Sequence, residues 1–415
     1  MPSIRKNLLQ FIFSGSYMKR WNDKLRPTEL TEVDKQAHKM LTAWMLCVQN
    51  GKKLATDAER LALQSAVVEG GIFDYFYRLV VTDIKPPVFY RIRANAEDYR
   101  QLTEWVIKEL EPRIKPVDED LWHRFLAYTG KTEHDSLADR ILDAAHHYAS
   151  YWEFRILRPL NGFDDELPAI EDSFVSRLHS HSDLEGVPCL LDERRASAFR
   201  HFATLCGQLR FQKRWSQTPR IPETSVLGHM FIVASFAFFF SIGVGACPTR
   251  RVNNFFAGLL HDLPEVLTRD IIFPVKKSVG GLDALIREYE EEELKRRIMD
   301  PLGSQGFTAL GERLGYYLGL STGSEFHAAV RENGAARTVT FDELQTLYNE
   351  DRYDPKDGTL LKACDSLAAF IEAYTAVRNG IASDQLQQAI WRLREDNRRT
   401  EFGPLHVGAL FADFD

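Results

Sequence analysis

The run Met230–Cys247, MFIVASFAFFFSIGVGAC, carries no charge over 18 residues. Such a segment either crosses a membrane or becomes the buried helix of a core, because no face of it suits water. Its length is at the lower edge of a span. It contains Ser235, Ser241, Gly243 and Gly245, follows His229 directly, and has no second run like it in the chain. These features predict a buried core helix and no membrane partner. The N-terminus, MPSIRKNLLQFIFSGSYMKRW, has an apolar run of only about six residues, too short for a signal-peptide core.

A buried helix needs others around it. Apolar residues recur at helical spacing in EWVIKELEPRI, SLADRILDAAHHYASYWEF, LDALIREYEEEELKRRI and TLLKACDSLAAFIEAYTAV, and alternating β-branched runs are few. The predicted fold class is all-α. A chain of 415 residues favours two domains. The Pro/Asp/His-rich stretch Arg158–Pro188 lacks long periodicity. It is read as a connection, with units at 1–160 and 190–415 joined by 161–189, and His179 and His181 exposed within it. The formal net charge of −7 leaves no electrostatic footprint for nucleic acid. Cys47, Cys189, Cys206, Cys247 and Cys364 are odd in number and show no CxxC spacing, so they read as reduced thiols of a cytoplasmic protein.

The two units echo each other. Lys19-Arg20-Trp21 recurs as Lys213-Arg214-Trp215, followed by His38 in one case and His229 in the other. VVTDIKPPV sets Asp83 against Asp270 and Pro87 against Pro274 of VLTRDIIFPV, and ILDAAHHYASYWEF sets against LLKACDSLAAFIEA. Four echoes in one order suggest an internal duplication.

His229, His261, Asp262 and Asp365 sit in or beside apolar helical segments. Burying imidazoles and carboxylates is costly unless they are paired or coordinated. Two of each, with no thiolate, suit one divalent first-row ion such as Mn, Co, Fe, Ni or Zn. A second His-Asp pair, His134-Asp135, follows polar residues and reads as a solvated helix start.

The order H…HD…D, with the pair closing an apolar helix, resembles the HD-domain metallophosphohydrolase superfamily. HDLPEVLTRDIIFPVKK is similar to the pattern HDxxExxxGDxxxPVK of its bacterial 5'-deoxyribonucleotidase branch, and Arg214-Trp215 fifteen residues before His229 is similar too. The resemblance covers roughly 209–376. It implies an HD-domain helical bundle in which His229, His261, Asp262 and Asp365 hold the metal. Glu265 would activate or protonate water. Asp270 would contact a sugar hydroxyl, Arg214 and Lys276 the phosphate, and Trp215 the sugar or base. Arg269 stands where the family has Gly, Gly228 where it usually has an acidic residue, and a long insertion-like run precedes Asp365.

The function implied is hydrolysis of a nucleotide phosphomonoester, a (deoxy)nucleoside 5'-monophosphate first. The alternatives are another nucleotide, triphosphate or cyclic, or a non-catalytic nucleotide sensor or scaffold. Glu265 is followed by Val266 where alarmone hydrolases have a second acid, no GYP motif is present, and the next His after His261 is His327. Aligned on Asp83, the N-terminal unit has Asp74-Tyr75 in place of His261-Asp262, Arg78 in place of Glu265 and His146 in place of Asp365. It is expected to be a degenerate HD-like domain without a catalytic metal. A different site built from His38, Asp74 and His146 is the lesser alternative. A homo-oligomer or an intrachain pseudo-dimer fits this organisation.

Overall fold

The computed structural model describes residues 3–414 apart from 132, 193, 195, 270–281 and 382. Thr31 caps α1 (Glu32–Gly51) by accepting from the Asp34 N–H. α2 (Asp57–Val81) opens on a reciprocal cap: Thr56 Oγ1 accepts from the Glu59 N–H, and the Glu59 carboxylate accepts from the Thr56 N–H. Ser136 caps α3 (Leu137–Leu157). These three helices pack on one another.

Among the other helices are α4 (Leu167–His179), α5 (Ala198–Gln208), α6 (Val226–Gly243), α7 (Pro248–Leu260), α8 (Gly358–Arg378) and α9 (Asp384–Asn397). Ser225 Oγ caps α6 by accepting from the Gly228 N–H at 2.9 Å. Pro248 opens α7, where its missing N–H costs nothing. Asp357 caps α8 and also pairs with Arg250 of α7 at 2.7 Å, both side chains fully buried. α6, α7 and α8 pack on one another, and α1 lies against both α6 and α7.

Helix α6 is the axis of the molecule. By length and composition it could cross a membrane, and all of it is buried here. Burying Phe231, Phe236, Phe238, Phe239 and Phe240 contributes about 1.5–3 kcal/mol each. Phe239 stacks on Phe76 of α2, and Tyr75 meets Phe231 edge-on. One apolar cluster therefore runs through both halves of the chain. α7 comes so near that a Cβ at Gly258 would lie 2.8 Å from Ala234 Cα.

Among the described residues the only strands form two short hairpins, β1 (Ala329–Glu332) with β2 (Ala335–Thr338), and β3 (Glu401–Phe402) with β4 (Leu405–His406). The fold is all-α, as the periodicity predicts. The connection departs from expectation in two ways. It contains α4, whose Leu167 and Leu178 are buried. His181 is buried rather than exposed, because its Nε2 docks 2.7 Å from Asp143 Oδ2 on α3.

Candidate metal centre

His229 is the fourth residue of α6, one turn past the Ser225 cap, and is fully buried. His261 and Asp262 directly follow α7, and His261 keeps helical dihedrals. The Nδ1 of His261 donates to the Gly258 carbonyl at 2.8 Å. That bond sets the tautomer and turns Nε2 inward. Asp365 projects from the second turn of α8, whose start is held to α7 by the Arg250–Asp357 pair.

Three segments thus meet at one point. The donor atoms of His229, His261 and Asp262 all lie within 4.8 Å of one another. His229 Nε2 is 3.1 Å from Asp365 Oδ1 and 3.9 Å from Asp262 Oδ2. His261 Nε2 is 3.2 Å from Asp262 Oδ2, yet it is buried without an aligned hydrogen bond. An inward imidazole nitrogen left in that condition, beside two carboxylates, fits a divalent ion in a mixed nitrogen and oxygen set. The four ligands proposed from sequence are brought together. Asp365 joins the other three through His229 and is also paired with Lys362 Nζ at 2.8 Å.

Electrostatics favour ionised carboxylates here. Burial pushes Asp262 up, but His261, Arg214 and His229 outweigh it and hold the group well below the usual carboxylate range. Asp365 follows the same pattern, with burial opposed by Lys362, His229 and His261. Burial lowers His261, and the adjoining Asp262 and Asp365 more than restore it, so the net shift is upward. A ready anionic oxygen set needs no deprotonation to take a cation.

The sequence reading missed Glu372. It lies seven residues past Asp365, two turns along the same face of α8. Its buried carboxylate accepts from Trp215 Nε1 at 2.8 Å and Thr224 Oγ1 at 2.9 Å, pairs with Arg214 Nε at 3.3 Å, and lies 3.4 Å from His229 Nδ1. One side chain therefore holds both members of the Arg-Trp pair and places a negative charge beside the His229 imidazole. Burial raises Glu372, and Arg214, His229 and Arg220 pull it well below its ordinary range. Arg214 also reaches Asp262 Oδ2 at 3.3 Å. It lines an open cavity of about 540 Å³ with Trp215, Thr218 and Arg220.

Glu265 opens a single-turn helix, Glu265–Thr268, and Gln212 Nε2 donates to its carbonyl at 3.0 Å. Its carboxylate is near enough to Arg214 to raise that guanidinium's pKa, alongside the stronger effects of Glu372, Asp262 and Asp365, which together overcome burial. Asp270 and Lys276 lie outside the described residues.

The helical bundle converges two imidazoles and two carboxylates that could hold a metal ion. Residues 206–394 match the family model of the HD domain. The match supports placing this part of the chain in the HD-domain superfamily, whose members are generally metal-dependent phosphohydrolases and bind divalent ions. No curated protein and no solved structure matches the chain.

Proposed function

We propose that the protein cleaves the phosphomonoester of a nucleotide, with a (deoxy)nucleoside 5'-monophosphate as its best substrate. The observation that carries this reading is the contact of Arg214 with Asp262, which sets a guanidinium beside the convergent donors of His229, His261 and Asp262. His229, His261, Asp262 and Asp365 would hold one divalent ion, of the Mn, Co, Fe, Ni or Zn kind, which supplies a bound water of lowered pKa and positive charge for the phosphate.

The chain's own residues would do the rest. Arg214 keeps two anionic partners at 3.3 Å, long for charge-assisted pairs, so its planar fork retains capacity for a phosphate oxygen. Trp215 borders the same cavity, packs against the small cluster of Ala373, Ala376 and Leu386, and would offer its ring to a sugar or base. Glu265 stands beside Arg214 and would take the proton of the attacking water or deliver one to the leaving oxygen. Asp270 and Lys276 are proposed to contact a sugar hydroxyl and the phosphate.

Phosphate release from a panel of nucleoside mono-, di- and triphosphates, repeated with Mn²⁺, Co²⁺ and Zn²⁺, tests this directly. Monophosphates should be preferred, and release should depend on the ion. Asp262→Asn should abolish both metal retention and release; activity that survives it refutes the mechanism.

A further inference from the structure

The N-terminal half repeats the frame around the candidate metal centre. Lys19 bridges Thr31 as Lys213 bridges Ser225. Trp21 and Trp215 share the left-handed φ of 57°. Arg20 Nε and Trp21 Nε1 bind Glu153 at 2.8 and 3.0 Å, as Arg214 and Trp215 bind Glu372. Glu153 lies seven residues past His146, as Glu372 lies seven past Asp365. Thr82 and Arg269, each eight residues beyond Asp74 and His261, have φ of 63° and 69°.

This register decides what faces what. Lys35, four residues past Thr31, takes the place of His229, four past Ser225. His38 is not the counterpart; it turns to Ala203 O and Arg210. Lys35 Nζ lies 2.9 Å from His146 Nδ1, where His229 Nε2 lies 3.1 Å from Asp365 Oδ1. Asp74, in the place of His261, pairs with Lys39 Nζ at 2.5 Å and accepts from Tyr128 OH. Tyr75, in the place of Asp262, turns into the core and donates to Ile12 O. Among the described residues, the three metal-competent donors that converge are those at His229, and the N-terminal positions supply no such group.

Charge follows the same logic. At the C-terminal centre Asp262, Glu265, Asp365 and Glu372 have Arg214 and Lys362 beside them, and a divalent ion would supply the remaining positive charge. In the N-terminal half Glu32, Asp74, Asp83 and Glu153 pair with Arg20, Arg78, Arg210, Lys35 and Lys39, with no ion needed to neutralise them. Two lysines thus stand where the other half has an ion's ligands, and burial pulls Lys35 down to about 7 against the opposing pull of Glu32. Unlike an ion, they are covalently fixed and their side chains are almost wholly buried.

We propose that the two halves are copies of one helical unit, and that in the N-terminal copy the side-chain nitrogens of Lys35 and Lys39 occupy the place of the metal. The protein then takes up one ion per chain, and its N-terminal half stays assembled without any. The count of one rests on the metal ligands of the proposed function. The full chain is loaded with Mn²⁺, freed of excess by gel filtration and analysed for metal. One ion per chain is expected, falling to none in Asp262→Asn. Two ions per chain, with one lost in Asp262→Asn, overturns the inference while leaving the phosphohydrolase reading intact; one ion that survives Asp262→Asn, or none in the unaltered protein, overturns both. Hydrogen exchange after chelation gives a second readout. Protection should fall around His261 and Asp365 and persist in α1 and α3, and an equal loss in both halves overturns the inference.

Discussion

Replacing Glu372 with Gln keeps the shape of the side chain and removes its charge. Glu372 is fully buried and Arg214 is 14% exposed, so their 3.3 Å contact is screened by little water. Removing one partner of a buried pair costs about 3–5 kcal/mol. The amide oxygen of Gln keeps one hydrogen bond, worth about 1 kcal/mol, from Trp215 or Thr224. The expected loss is therefore about 2–4 kcal/mol of unfolding free energy, combining those two figures. His229 Nδ1 loses its anionic neighbour, and outer partners of this kind are worth about 10–100-fold in metal affinity. Urea unfolding in the presence of chelator reads the first effect, and a Mn²⁺ titration by calorimetry reads the second. The stability loss must appear in chelated protein, because the Arg214–Glu372 contact involves no ion. A change below about 1 kcal/mol with unaltered Mn²⁺ affinity would show Glu372 to be passive and refute the reasoning.

Two further perturbations test the frame around the site. Gly258→Ala would place a Cβ 2.8 Å from Ala234 Cα and 3.0 Å from its nitrogen, at the closest approach of α6 and α7. Backbone cannot yield cheaply there, so a loss of about 1–3 kcal/mol is expected in urea melts, and a neutral result would mean that the helices separate without cost. Acid should act on the N-terminal half. Burial raises Glu32 and Glu153, but Lys35, Arg20 and Arg78 pull the first below the ordinary 4.5, and Arg20 and Arg210 pull the second. Folded values below the unfolded one mean stability that is fully present above about pH 4.5 and lost as pH falls further. The melting temperature of chelated protein should therefore drop between pH 4.5 and 3, and a flat profile across that window counts against these pairs.

The sequence announced α6 because a charge-free run leaves a chain few places to put it. It announced His261 and Asp262 because adjacent polar groups at the end of an apolar helix need a partner. Glu372 was harder to see. A Glu in a helix of mixed composition looks like a solvated residue, and only its two-turn spacing from Asp365 ties it to the site. His38 was chosen by residue type, whereas the register of the backbone bridges selects Lys35, a residue whose chemistry did not suggest a metal position. His181 sits in a polar stretch, and its burial depends on a tertiary contact with Asp143 that local composition does not carry. The hairpin of β1 and β2 did have a signal. Asn333 and Gly334 take φ of 51° and 81°, the turn that Asn-Gly favours between paired strands.

The complete burial of α6 also bears on how the chain is made. Emerging unfolded from a ribosome, a helix this apolar has the composition that membrane-insertion machinery recognises, and it invites aggregation. Its packing partners α1 and α2 precede it in the chain, while α8 comes more than a hundred residues later. Domains fold in order of synthesis, at about 5–20 residues per second. The N-terminal half thus gives α6 a surface to land on before its C-terminal partners exist. The N-terminal half would then serve as the receiver that lets the half carrying His229, His261 and Asp262 be synthesised without exposing α6.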